Sequence, residues 1–309
     1  MHLELSKIDP GTKVLFLKRK KKFVSPQTSW TDQLIYGEIK SFTLLPISSF
    51  EYQGNRIIYT PYNTFSKKEL PVSDLYTDSG KSDFEKVFYL GTDRYGRDLL
   101  SRLIVGTRIS LAIGFIAVLI SLLIGIILGL ISGYYGGSID RFIMWLINVV
   151  WSVPTLLMVI AISLALGRGF WQVFTAVGLT MWVELARVVR GQVMSLKELD
   201  YIKAAKMLGF SDFRIIFRHV LPNITSPIIV ISAANFASAI LIEAGLSFLG
   251  IGTQAPIPSW GVMIKNHYAY IILDKAYLAI APGLAIVFLV LAFMLVGNML
   301  REKLQVKNT

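Results

Sequence analysis

The chain contains no cysteine and only three histidines among its 309 residues. Without thiols there are no disulfides and no thiolate metal sites, and cysteine usage leaves the compartment undetermined. The histidines (His2, His219 and His267) show no pairing at ligand spacing, so no metal site is expected. Acidic residues are also scarce, with 20 Asp and Glu against 31 Lys and Arg for a net charge of +11. That excess does not read as a nucleic-acid surface, because the basic residues sit between and beside apolar runs instead of forming one stripe. Residues 1–90 lack any apolar run long enough to span a bilayer, and nothing in them looks like a signal peptide.

Hydrophobic side chains are abundant, at 54% of the chain. That share, with a mean hydropathy of +0.58, points to an all-α polytopic membrane bundle. Five segments reach the roughly 20 apolar residues a bilayer requires: 109–132, 142–166, 170–189, 224–249 and 277–300. Gly125, Gly129 and Gly133 recur every four residues, which predicts a smooth strip for close helix approach. Pro154 and Pro282 are expected to bend their helices. Residues 1–90, with runs such as 56–62 broken by Pro and Gly, read as short strands and loops.

Between two spans lies a charged, amphipathic stretch, residues 198–222, reading ELDYIKAAKMLGFSDFRIIFRHVLP. Ser195 followed by Glu198 has capping-box spacing and predicts a helix start. Ala204, Ala205 and Leu208 form a small apolar stripe beside Lys203 and Lys206, and Gly209 fits a helix C-cap. Ser211 and Asp212 predict a second short helix through Phe217, ended by Pro222. Two short helices with small residues at the bend make a protrusion another protein can grip. The blander reading is an amphipathic loop lying on the bilayer surface.

Loop charge sets the orientation. Arg187, Arg190, Lys197, Lys203, Lys206, Arg214 and Arg218, and then Arg301, Lys303 and Lys307, predict that the last two spans start and finish on the cytoplasmic side. The connection 133–141 is then cytoplasmic too, while 167–169, 250–275 and everything before residue 109 fall outside. The basic cluster Lys18 to Lys22 lies in that outer segment. A long soluble segment is exported regardless of such charge, because the rule governs short loops.

The loop at 190–222 resembles the cytoplasmic coupling loop of ATP-binding-cassette (ABC) importer permeases of the MetI-like type. The positions that carry the resemblance are Lys203, Ala204, Ala205, Gly209, His219, Leu221 and Pro222. Lys203 stands where the family has Glu, and His219 where it has Ile. Two further motifs, GTDRYGRD at 91–98 and EAGLSFLGIGTQAPIPSWG at 243–261, closely resemble the C-type permease subunit of dipeptide, oligopeptide and nickel importers. The likeness runs from about 91 to 300, with three motifs in order. It implies a permease transmembrane domain at 91–302, a cytoplasmic tail at 303–309 and an extracytoplasmic segment at 1–90. It also implies one more transmembrane helix ahead of that segment, so the true start is expected upstream of Met1.

The resemblance assigns ATPase coupling to Lys203, Ala204, Ala205, Gly209, Asp212, Arg214, Leu221 and Pro222. It places Gly91, Asp93, Gly96, Arg97, Asp98, Pro258 and Trp260 on the outer side. Implied partners are two ABC ATPase subunits that hydrolyse ATP, a second permease of the dipeptide or oligopeptide B type, an extracytoplasmic solute-binding protein, and the lipid bilayer. No cofactor binds the chain itself. Asp93, Arg94, Arg97 and Asp98 read as a charge cluster setting the first span at the interface. Gly250, Gly252, Pro256, Pro258 and Trp260 read as a rigid outer turn, with Trp260 in the headgroup layer or facing a binding protein. Glu243 sits inside an apolar run, where an unpaired charge costs about 2.5 kcal/mol or more. It therefore needs a partner, across the subunit interface or in a substrate.

Other chemistries fail on their residues. LYTDSGKS at 75–82 has a P-loop's Gly-Lys-Ser but lacks its first Gly and its strand-to-helix context, so the chain is not its own ATPase. Gly245-Leu246-Ser247 suggests an intramembrane nucleophile, but His219 and His267 are expected in loops and no span holds a His to pair with it. Glu184, near the cytoplasmic end of its span, and Glu243 are too few for a proton-coupled carrier. Two readings remain: an ABC permease subunit for peptides or a related small solute, and an ATPase-independent carrier or channel. The chain is not expected to be an enzyme in either.

Overall fold

The computed structural model describes residues 3–21, 41–77, 81–167, 169–253 and 257–306. Lys22, residues 78–80 of the P-loop-like run, Pro256 and Lys307 lie outside them. Two compact units divide between Arg102 and Leu103, so the 91–98 motif belongs to the first unit.

The first unit is an antiparallel sheet of β1 (Thr12–Lys20), β2 (Phe42–Gln53), β3 (Arg56–Pro61), β4 (Lys68–Pro71) and β5 (Asp83–Phe88). Its spatial order is β4-β3-β2-β1-β5. Alternation along β1 sends Leu17 to one face, with Ile47, Ile57, Leu70 and Leu75. Val14 and Phe16 go to the other face, with Leu5 and Phe88. Both faces of the strand are thus covered, which is why its apolar run is nearly continuous instead of strictly alternating.

The 91–98 motif closes this unit. Asp93 is fully buried. One of its carboxylate oxygens accepts from the backbone N–H of Tyr95 (2.8 Å) and Arg97 (2.9 Å), and the other from Arg97 Nε (2.6 Å). Arg102 adds a longer ion pair at 3.6 Å. Asp98 takes Lys86 Nζ at 2.9 Å and the Ser101 hydroxyl at 2.7 Å. Gly91 has a φ of +69°, and a side chain there would meet the Ile8 carbonyl oxygen. The cluster is a folded turn, with its charges paired inside its own unit.

The second unit is helical: α1 (Leu99–Tyr135, reaching back into the first unit), α2 (Gly137–Trp151), α3 (Thr155–Leu166), α4 (Phe170–Lys197), α5 (Asp200–Met207) and α6 (Asp212–Ile215). A π-helical segment, Ile216–Val220, and a short turn, α7 (Leu221–Asn223), lead into α8 (Thr225–Leu249). After these come α9 (Trp260–His267) and α10 (Tyr277–Val306), in which Pro282 is internal. Among the described residues four helices, α1, α4, α8 and α10, are long and apolar enough to cross a membrane. The helices α2 and α3 reach that length and apolarity only together, and they meet at 90°.

The bend expected at Pro154 is thus a full break between two helices. Pro154 precedes α3 and caps it with an extended ψ of 128°, because a proline cannot donate into the preceding turn. The first span also begins ten residues earlier than expected, at Leu99, since apolarity marks only the part of a helix that needs lipid. Of the four long spans α4 has the lowest mean hydropathy, 1.3, yet the largest buried share, 67%. A span buried by its neighbours does not have to face lipid. The Gly125, Gly129 and Gly133 strip lies against it, and a β-carbon at any of the three would fall within 2.9 Å of Trp182, Ala186 or Arg190 backbone oxygens.

Candidate functional site

The 198–222 stretch forms an elbow. Ser195 does not start its first helix: it lies inside α4, where its hydroxyl donates to the Gly191 carbonyl (3.1 Å). The N-cap position of α5 is Leu199, in an extended conformation without a side-chain cap. Glu198 instead pairs with Lys203 at 3.0 Å, and that hydrogen bond holds its carboxyl below the usual carboxylate range. At the other end Gly209 has a φ of +79°. The Phe210 N–H reaches the Ala205 carbonyl and the Gly209 N–H reaches that of Lys206, both at 3.1 Å. This is the paired bonding of a Schellman cap, which needs a left-handed residue.

The second arm starts at Ser211, whose hydroxyl accepts from the Arg214 N–H at 3.4 Å. Pro222 does not end it. The backbone widens to π-helical spacing over Ile216–Val220 and Pro222 opens the next turn. The wider turn eases the ring against the carbonyl four residues back and absorbs the missing N–H. Asn223 Nδ2 donates to the His219 carbonyl at 2.6 Å. His219 is therefore helical, not in a loop as expected.

The elbow has a buried and an exposed side. Ile202, Ala205, Ile215, Ile216 and Val220 join Leu130, Tyr134, Leu185, Val189 and Val193 in one core cluster. The expected stripe is thus shifted: Ala205 packs inward, while Ala204 faces out and Leu208 is 75% exposed. Met207, Phe210, Phe213 and Phe217 are exposed as well, Met207 at 89%, and the Phe213 and Phe217 rings lie 4.3 Å apart. Lys203 and Arg214 flank this surface, and Arg214 lies over the Phe210 ring at 5.3 Å. Leu221 is half-buried at the base of the elbow.

Polar contacts tie the elbow to the long helices. The Tyr134 hydroxyl, at the end of α1, donates to Asp212 (2.7 Å), and Lys197, ending α4, donates to the Tyr134 carbonyl (2.7 Å). Asp140 on α2 takes a two-pronged bond from Arg190, with Nε and Nη2 at 2.6 and 2.7 Å, and a short one from Ser132. Sequence reading missed Tyr134, Asp140 and Lys197 as partners, because a pair 50 to 78 residues apart leaves no local signal.

The 243–261 motif folds inward. Glu243 is buried, and its Oε1 accepts from the hydroxyls of Ser247 (2.6 Å) and Thr253 (3.1 Å). Ser259 Oγ lies 2.8 Å from the Thr253 hydroxyl in the same network. The carboxylate thus has hydroxyl partners within its own chain. Gly252 lies so close to Ser247 that a β-carbon would sit 2.2 Å from its hydroxyl. Trp260 is only 3% exposed and its Nε1 donates to the Leu103 carbonyl at 3.0 Å. The headgroup position expected for Trp260 is corrected: the ring fills the approach of α1 at Gly106. Pro258 is half-buried beside it. His267 closes α9, buried, with Nδ1 2.7 Å from the Met263 carbonyl, so it too is not in a loop.

At the break between α2 and α3 a cleft of about 320 Å³ opens toward α4 and α8. Glu184 lines it, near the midpoint of the 28-residue α4.

Residues 125–306 match the family described as the binding-protein-dependent transport system inner membrane component. The chain belongs to this family. It is a permease subunit, a transport component of the inner membrane and not an enzyme, and binding-protein-dependent transport implies an ATPase and a binding protein as partners. The permease is 42% identical over 219 residues to the glutathione transport system permease protein GsiD of Pectobacterium atrosepticum, covering 71% of this chain and 72% of that one. It is 41% identical over 219 residues to the dipeptide transport system permease protein DppC of Alkalihalophilus pseudofirmus, with the same coverage. It is also 41% identical over 230 residues to the oligopeptide transport system permease protein OppC of Escherichia coli, covering 74% and 76%. A solved structure of the MetNI methionine ABC transporter, inward facing, superposes with a TM-score of 0.55 at 18% identity, over 66% of this chain and 97% of that one. The MetI-like bundle is therefore the fold of the permease.

Proposed function

We propose that the permease forms half of the translocation pore of an ABC importer for peptides or a related small solute. In this reading it pairs with a second, similar permease and is driven by two separate ATPase subunits that hydrolyse ATP. The observation that carries the coupling is the elbow's exposed apolar surface, Met207, Leu208, Phe210, Phe213 and Phe217, on an arm whose other face is packed into the bundle. Such a patch marks a protein contact more than a solvent face. Arg214 and Lys203 flank it, and Asp212, through Tyr134, links it to α1. Nucleotide-driven movement of the ATPases would press on this elbow and shift the bundle between two states, with no covalent step in this chain. The peptide assignment rests on the relatives, whose names give glutathione, dipeptides and oligopeptides.

Because the chain has no native cysteine, Leu208→Cys gives a single crosslinking site. Leu208 suits the probe better than Gly209, whose left-handed backbone disfavours any side chain. Crosslinking in native membranes is expected to capture an ATPase, with a second permease co-purifying. Capture of nothing, or only of this chain itself, would favour the carrier reading and overturn the proposal.

A further inference from the structure

The cleft at the α2–α3 break holds a carboxylate that nothing above assigns. Its walls include Trp151, Thr155, Thr180, Glu184, Ser238 and Leu241. Glu184 is exposed to the cleft, and among the described residues no cation pairs with it. Arg187, one turn along α4, does not neutralise it: its guanidinium lies over the Trp151 ring at 4.1 Å. Trp151 thus parks the nearby positive charge and leaves the acid open.

The contrast with Glu243 sharpens this. That carboxylate is enclosed by hydroxyls of its own chain, whereas Glu184 sits in a space of ligand size with nothing covering it. An ionisable group inside a span is costly unless a partner arrives. Breaks in spanning helices are where transporters of several folds place solute, because bent backbone is tolerated only along a cavity.

We infer that Glu184 is a transient anchor on the translocation path for a primary ammonium group of the transported solute. Thr155, Thr180 and Ser238 supply neutral hydroxyls around that anchor, and Leu241 and Trp151 supply apolar walls. Neutral polar walls with a single acid favour a site that recognises one charge and lets it go. The inference rests on the importer reading and assigns its substrate class more narrowly: solutes with a free amino group, as unblocked peptides have.

The test uses the assembled transporter, this chain with its second permease and ATPases, in nanodiscs without a binding protein. Radiolabelled dialanine and N-acetyl-dialanine are the probes. The unsubstituted complex is expected to retain dialanine about tenfold better than the acetylated form, the size of one charge-assisted hydrogen bond. Glu184→Gln should collapse that ratio to about twofold or less, while Glu184→Asp keeps part of it. Equal retention of both probes by the unsubstituted complex, no retention of dialanine, or an unchanged ratio in Glu184→Gln overturns the inference. So does loss of the second permease from the Glu184→Gln preparation, which would make the carboxylate half of an ion pair between subunits. None of these results touches the importer reading, which fails separately if Leu208→Cys captures no ATPase.

Discussion

Gly209 and Gly250 each close a helix with a positive φ, and the two ends do opposite things. Gly209 closes α5 with nothing within 4 Å of where a side chain would point. Around it the chain turns outward and displays Met207, Leu208 and Phe213. Gly250 closes α8 with a φ of +85°, but the chain then folds back on itself. Gly252 presses on Ser247, Gly261 presses on Ala244, and Trp260 is buried. The same local stop signal produces a handle in one place and a plug in the other. What decides is the density of the neighbours, not the cap.

That contrast can be broken from both sides. The largest effect is expected at the plug: Gly252→Val would drive a side chain into Ser247 and through the Glu243 hydroxyl network, costing about 3 kcal/mol or more. Thermal unfolding of the detergent-solubilised complex and the yield in the membrane measure it. Trp260→Phe removes the bond to the Leu103 carbonyl and part of the ring, for a loss of about 1–2 kcal/mol by the same melt. At the handle, Gly209→Ala places a β-carbon on a left-handed residue in open space and should cost only about 1 kcal/mol. The smallest change in stability, within about 0.5 kcal/mol, belongs to Leu208→Asp on the exposed elbow. There the melt should stay put while capture of an ATPase and transport both fall. A melt that drops as far for Leu208→Asp as for Gly252→Val would erase the distinction between handle and plug.

Much of the fold was legible where the signal is local. The apolar runs located four spans, and Gly209 marked its helix end because few residues tolerate that backbone. The Ser211 cap followed from its position before Asp212. Ser195 misled because its spacing to Glu198 suits a cap only where a helix begins, and here one was already running. The α9 helix had a usable signal in Ser259, whose hydroxyl accepts from the Val262 N–H at 3.2 Å, but the prolines before it read as a loop. The sheet order and the Tyr134–Asp212 and Asp140–Arg190 pairs were not legible, since they join residues far apart in the chain. The site at Glu184 was half legible: its charge stood out, but its place at a break in the neighbouring span did not.

The glycine strip on α1 has a mechanical consequence. Where Gly125, Gly129 and Gly133 meet α4, no side chain of α1 stands between the two backbones. Side chains are the soft layer of a helix contact, because they change rotamer before the backbone moves. Along about 12 Å, the rise of eight residues, this contact has no such layer on one side. The two helices are left to travel together like a splinted pair, and a displacement fed in where Tyr134 meets the elbow would arrive along the strip with little slack.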